Sequence, residues 1–112
     1  MNTKFCAAFL AMSLTIAGAA HADNLTVENR SGIAIDQIYM SRVTDPDWRN
    51  DLLGSGILWS GYDTTILKGW GRYDVKLVDG DGDDCVVNDV AIRGDSTLMI
   101  TRAWLLRCEG YG

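Results

Sequence analysis

Short runs in which apolar and polar residues alternate dominate the chain after its first 22 residues. Residues 73–77 are the clearest example, because Tyr73, Val75 and Leu77 point to one face and the charged side chains between them point to the other. Further short β-type runs are residues 25–28, 33–42, 57–59, 63–68, 86–92 and 97–100. Strands this short, separated evenly by turn residues, predict a mainly β protein, a small antiparallel β-sandwich or half-open barrel with one or two short helices.

The first two runs predict a hairpin, because the turn-forming residues 29–32 separate them. Within the second run the apolar positions change phase between Ile35 and Ile38. A β-bulge near Asp36 and Gln37, or a strand buried on both faces, would produce this change.

Helix-start and helix-stop residues appear in the correct order in residues 45–54. Asp45 can accept hydrogen bonds from the free amides, Pro46 suits the first helical position, and Gly54 can take the left-handed closing conformation. We therefore expect a short helix that lies on the sheet. The alternative is an irregular loop that holds a buried Trp48.

A second helix is predicted near the end of the chain. Thr101 can cap residues 102–108, and Leu105 and Cys108 lie about one turn apart on the same helical face.

The first 22 residues have the pattern of a secretory signal peptide. Lys4 precedes an apolar run over residues 5–20, and Ala20-His21-Ala22 has the small-x-small form of a cleavage site. A retained membrane anchor is the alternative, but the run is shorter than the roughly 20 residues that span a bilayer. The sequence thus predicts an exported protein, periplasmic or secreted, with one β domain over residues 23–112, and no later segment is apolar enough to cross a membrane.

Removal of the signal peptide changes the chemistry that the chain can perform. Cys6 is lost, so Cys85 and Cys108 remain, and in an oxidising compartment they predict a disulfide that stabilises by about 3–4 kcal/mol. Two buried thiols are the alternative. With Lys4 gone, the formal charge falls from −5 to about −6, which makes nucleic acid and anionic membrane surfaces poor partners.

Catalytic groups are scarce in the expected mature chain. The single histidine of the full sequence, His21, lies in the predicted signal peptide, so the mature chain can form no Ser-His or Cys-His nucleophile pair and no imidazole metal site. Ser-Lys catalysis needs a lysine buried beside a serine. Lys68 falls at a strand end and Lys76 on a polar strand face, so neither is expected to be activated. We expect that the protein is not an enzyme.

The acidic residues 79–84 allow two interpretations. Asp79, Asp81 and Asp83 occupy positions one, three and five of a calcium loop, but Asp84 replaces the glycine of position six and Val90 the glutamate of position twelve. Asp-Gly pairs are also strong hairpin-turn signals. A plain hairpin is expected, with a weak calcium site at those three aspartates as the alternative and no other cofactor.

The four tryptophans divide into two groups. Trp48 and Trp104 lie on predicted helices and are assigned to packing. Trp70, between two glycines, is the best candidate for an exposed partner contact, followed by Trp59 with its neighbour Tyr62.

Several segments resemble a family of small uncharacterised exported bacterial proteins. The segments are VENRSG at 27–32, IYMS at 38–41, WRNDLLG at 48–54, YDVK at 73–76 and LLRCEG at 105–110. The resemblance implies a single secreted or periplasmic β domain. It implies no catalytic residues, because the family has no assigned activity.

Together these observations favour an exported binding or interaction module whose partner is a protein or an envelope component. The first alternative is a low-affinity calcium module. The second is a periplasmic inhibitor of a cationic hydrolase such as lysozyme, which the negative charge would attract.

Overall fold

The computed structural model describes residues 23–111, so the predicted signal peptide lies outside the described residues. The strands are β1 (Asn24–Arg30), β2 (Ile35–Arg42), β3 (Asp63–Leu67), β4 (Gly71–Asp79), β5 (Asp84–Ile92) and β6 (Asp95–Thr101), and they are followed by helix α1 (Arg102–Cys108).

The strands form two three-stranded sheets, in the orders β3-β1-β6 and β2-β4-β5. All pairs are antiparallel except β1 with β6, which is parallel. Alternate side chains of each sheet, such as Leu25 and Val27 of β1 and Val75 and Leu77 of β4, are buried between the sheets. The prediction of a small, mainly β sandwich is confirmed.

The predicted hairpin between the first two runs is wrong, since β1 and β2 belong to different sheets. The side-chain amide of the fully buried Asn29 donates to the carbonyls of Ile33 (2.8 Å) and Leu58 (2.9 Å). Its oxygen accepts from the amide (3.1 Å) and the hydroxyl (2.7 Å) of Ser31. These four bonds satisfy the buried side chain and turn the chain from one sheet to the other.

The predicted β-bulge is confirmed, because the register of β2 against β4 shifts between Ile35 and Gln37. A second shift lies between Tyr73 and Val75 in the pairing of β4 with β5. Each shift adds local twist to its strand.

The predicted helix over residues 45–54 is wrong, and the segment is the irregular alternative. Asp45 does accept from the amide of Asp47 (3.0 Å), as a cap would, and Gly54 does take a positive φ of 61°. Arg49, however, has φ 66°, a left-handed conformation that interrupts a right-handed helix. Trp48 is half-buried, with the Lys76 ammonium 5.8 Å from its ring centre.

This irregular segment covers the outer edge of β2. The Asp51 carboxylate accepts from the amides of Ile38 (2.9 Å) and Leu53 (3.0 Å), and the amide of Leu52 donates to the Ile38 carbonyl (2.7 Å). The expected strand over residues 57–59 is reduced to one bridge, in which Leu58 and Ile35 exchange both main-chain hydrogen bonds.

Helix α1 forms where it is predicted. The Thr101 hydroxyl accepts from the amide of Trp104 (3.3 Å), Leu105 is fully buried, and the half-buried Trp104 packs against the core. Cys108 forms the predicted disulfide with Cys85 of β5, with the Cα atoms 5.3 Å apart. Within residues 23–111, no helix is long and apolar enough to cross a membrane.

The sandwich therefore has two different sides. Strands β5 and β6 contact each other and α1, and we call this the disulfide side. Strands β2 and β3 lie on the opposite side, joined by residues 43–62, and we call this the loop side.

Candidate binding surface and acidic cluster

Exposed apolar side chains concentrate around β3, on the loop side. Five of the ten large apolar side chains that are exposed in residues 23–111 lie between positions 57 and 70. They are Ile57, Trp59, Tyr62, Leu67 and Trp70. Large exposed apolar side chains grouped in this way mark interaction sites more often than singly scattered ones do.

A hollow of about 450 Å³ lies where the irregular segment meets the start of β3. Trp59 and Tyr62 line it and are 58% and 65% exposed, and the buried Leu58 also lines it. At its rim, the Asp63 carboxylate forms an ion pair with Arg30 (2.9 Å). An apolar wall with few polar groups is suited to accept an apolar or aromatic side chain.

The structure thus brings together two of the three side chains predicted to contact a partner. Trp70 does not line the hollow and lies in the turn between β3 and β4, where it is 64% exposed. Their role in binding a partner stays a prediction.

The outer edge of β3 borders the hollow. The amide of Asn29 donates to the carbonyl of Tyr62 (3.0 Å), and this bond fixes which β3 residues face β1. Because facing pairs alternate along an antiparallel ladder, the main-chain groups of Asp63, Thr65 and Leu67 point away from β1. Within the described part of the chain, no strand pairs with this side of β3.

We call the outer edge of β3, together with Trp59, Tyr62, Leu67 and Trp70, the edge surface. It combines unpaired main-chain donors and acceptors with apolar side chains. The outer edge of β2, in contrast, is hydrogen-bonded to the irregular segment through Asp51 and Leu52.

The acidic residues 79–84 form the hairpin turn between β4 and β5. Asp79 is 2% exposed, and one of its carboxylate oxygens accepts from the amides of Asp81 (2.9 Å) and Asp83 (3.1 Å). Gly82 supplies the left-handed conformation that the turn requires, with φ 87°. The expectation of a hairpin at this position is confirmed.

A third acidic side chain, Glu109, lies against this turn. Carboxylate oxygens of Asp79, Asp83 and Glu109 all lie within 4.8 Å of one another, and we call these three residues the acidic cluster. Both carboxylate oxygens of Glu109 are buried and, in the described residues, no donor faces them. The calcium ligands predicted from the sequence were Asp79, Asp81 and Asp83. In the structure, the third carboxylate of the cluster belongs to Glu109 instead of Asp81.

Burial is the main cause that raises the pKa of Glu109 to about 7. The hydrogen bond that protonated Glu109 donates to Asp79 and the negative charges of the neighbouring aspartates raise it further. Tyr111 donates to Asp83 (2.8 Å), and this hydrogen bond raises the pKa of the Tyr111 hydroxyl. One positive charge, a proton or a metal cation, would relieve the repulsion within the cluster.

Sequence reasoning missed Glu109, although a signal for it was present. Glu109 directly follows Cys108, and Cys85 directly follows the acidic turn. The predicted disulfide already placed Glu109 beside the aspartates.

Comparison of the chain with protein-family models, with curated proteins and with solved structures finds no match in any of the three. The resemblance to a family of small exported proteins therefore stays a prediction, as does the expectation that the protein is not an enzyme.

Proposed function

We propose that this protein is an exported interaction module, periplasmic or secreted, that binds a protein through the edge surface. The observation that supports this most is the hollow beside the outer edge of β3, lined by the exposed Trp59 and Tyr62. An extended segment of a partner can hydrogen-bond to an unpaired strand edge, while a neighbouring hollow selects one of its side chains.

Charge and compartment narrow the kind of partner. The expected mature chain carries a formal charge of about −6, which favours association with a cationic protein. The Cys85–Cys108 disulfide is of the kind that persists in oxidising compartments, which supports export. A cationic hydrolase such as lysozyme is one such partner, and its inhibition stays a prediction.

Direct binding tests this function. Proteins captured from envelope extract by the processed chain are identified by mass spectrometry, purified, and titrated against wild type, Trp59→Ala and Met99→Ala. Met99 is the matched control, because it is 53% exposed on β6, at the opposite edge of the same sheet.

We expect Trp59→Ala to weaken Kd by about tenfold or more, as for an aromatic anchor at an interface, and Met99→Ala to leave Kd unchanged. Equal affinities of the two variants would exclude the hollow as the binding site.

A second candidate function is low-affinity calcium binding at the acidic cluster. The observation that favours it is the buried Glu109 carboxylate. It lies beside the carboxylates of Asp79 and Asp83, and in the described residues no hydrogen-bond donor contacts its oxygens. Calcium takes six to eight oxygen ligands, and extracellular modules bind it with affinities of about 0.1–1 mM. The three carboxylates and the carbonyls of the turn would supply the protein ligands.

Calorimetric titration with calcium chloride at about pH 8, where Glu109 is ionised, tests this candidate. Wild type is compared with Glu109→Gln and with Asp81→Asn, the control from the same turn outside the cluster. We expect heat from wild type and Asp81→Asn, and none from Glu109→Gln. A flat wild-type trace at millimolar calcium would end this candidate.

A further inference from the structure

The outer edge of β3 has a symmetric arrangement of unpaired main-chain groups. Asp63, Thr65 and Leu67 face outward, so the free groups are centred on Thr65. If a second β3 lies antiparallel beside the first, with Thr65 opposite Thr65, then Asp63 of each strand lies opposite Leu67 of the other. Every outward N–H and C=O of these three residues then gains a partner.

The apolar side chains of the edge surface are also complementary under this symmetry. The two-fold axis places the end of β3 that carries Leu67 and Trp70 beside the end of the other copy that carries Tyr62 and Trp59. Each copy therefore offers one hollow and one exposed indole, as an isologous interface requires.

The charges on the edge surface do not oppose the pairing. Asp63 of each copy lies opposite the uncharged Leu67 of the other, and its carboxylate is ion-paired with Arg30 of its own copy (2.9 Å). The two Asp63 carboxylates lie at opposite ends of the paired strands. The net charge of about −6 on each chain opposes association, so the main-chain hydrogen bonds and apolar contacts of the edge surface have to offset this repulsion.

From this complementarity we propose that a second copy of this chain occupies the edge surface, through antiparallel pairing of β3 with β3 about a two-fold axis at Thr65. The inference rests on the proposed function, because it names a protein that binds the same surface. It differs in the charge of that protein, since a second copy carries about −6 whereas net charge alone favours a cationic partner. In the resulting dimer the two β3-β1-β6 sheets join into one continuous sheet.

Sedimentation velocity of the processed chain from about 5 to 200 µM measures the assembly, at concentrations that cover a micromolar dimer. Leu67→Asp introduces a charge at the edge surface, and Met99→Asp introduces the same charge at the opposite edge of the sheet. Both side chains are largely exposed, Leu67 at 69% and Met99 at 53%. We expect wild type and Met99→Asp to form dimers, and Leu67→Asp to weaken the dimer at least tenfold while its circular dichroism stays that of wild type.

A pair of single cysteine variants tests the register. Facing Cα atoms in a hydrogen-bonded antiparallel pair lie about 5.5 Å apart, a distance that a disulfide bridges. Thr65→Cys lies on the proposed axis, so air oxidation should cross-link two chains. Leu67→Cys faces Asp63 of the other copy and should not cross-link.

A wild type that stays monomeric at about 200 µM overturns this inference, as does a dimer that Met99→Asp disrupts as strongly as Leu67→Asp. A monomer that still captures another protein through Trp59 leaves the proposed function standing, with an extended segment of that protein at the edge. A wild type that neither self-associates nor captures a protein overturns both.

Discussion

The two sides of the sandwich hold the sheets together by different means. On the disulfide side, regular strands and α1 meet at the Cys85–Cys108 bond, and the apolar Leu105 fills the core. On the loop side, the backbone is irregular. The side-chain amide of Asn29 donates hydrogen bonds to it, and the carboxylate of Asp51 accepts hydrogen bonds from it.

This difference shows how a small domain can present an apolar surface and still fold. The fully buried Asn29, with all its hydrogen-bond partners, and the half-buried Asp51 hold the irregular segment in one conformation. That segment need not bury its own apolar residues, so Trp59 and Tyr62 remain exposed around the hollow. The disulfide side contributes stability, and the loop side contributes the candidate binding surface.

Removal of the covalent link should have the largest effect on stability. For the double variant Cys85→Ser with Cys108→Ser, we expect the free energy of unfolding to fall by about 3–4 kcal/mol, because the unfolded chain regains the entropy of a loop of this length. Urea unfolding followed by circular dichroism measures the loss. A loss below about 1 kcal/mol would show that the disulfide side does not depend on its covalent bond.

Loss of the buried amide on the loop side should have the next largest effect. Asn29→Ala removes four hydrogen bonds and leaves the Leu58 and Ile33 carbonyls without that donor. We expect a loss of about 2–3 kcal/mol in urea unfolding. The exposed Asn88→Ala on β5 is the control and should change stability by less than about 0.5 kcal/mol. Equal effects of the two variants would refute the role of Asn29.

Substitution of Asp51 should lower the free energy of unfolding by a smaller amount, and its effect on the structure should be more local. Asp51→Ala removes the acceptor for the amides of Ile38 and Leu53, and should cost about 1–2 kcal/mol. Hydrogen exchange should accelerate at those two amides and stay unchanged on the disulfide side. Asp47→Ala, at an exposed carboxylate of the same segment, serves as the control. Unchanged protection of Ile38 and Leu53 in Asp51→Ala would contradict the prediction.

An effect that depends on conditions concerns the pH dependence of the disulfide side in metal-free buffer. The pKa of Glu109 is about 7 in the folded protein against an ordinary value of 4.5, so the folded state binds this proton more tightly than the unfolded state. The stabilisation is complete below the ordinary value and is lost as the pH rises through about 7, where Glu109 ionises beside Asp79, Asp81 and Asp83.

We therefore expect the Tm of wild type to fall between pH 5 and 8, relative to Glu109→Gln, whose neutral amide does not titrate. Thermal unfolding in chelator across this range measures the difference. Parallel pH profiles of the two proteins would rule out a raised pKa at Glu109.

Local patterns were sufficient for the central strand β4 and for the disulfide side. The alternation of residues 73–77, the cap at Thr101, the acidic turn and the cysteine pair each act over a few residues or through one covalent bond. On the loop side the same kind of pattern gave a wrong helix. Asp45 and Gly54 behave locally as predicted, but the contacts of Asp51 with the bulged edge of β2 hold the segment in another conformation.

The sandwich class, the disulfide, the terminal helix and the exposure expected for Trp59 and Trp70 could be predicted from residue order alone, because alternation, capping and turn chemistry are local. Three features became visible only in the folded chain: β1 and β2 separate, Glu109 joins Asp79 and Asp83, and Trp59 and Tyr62 share a hollow beside the outer edge of β3. These features depend on hydrogen bonds and packing between residues distant in the chain, which local periodicity does not specify.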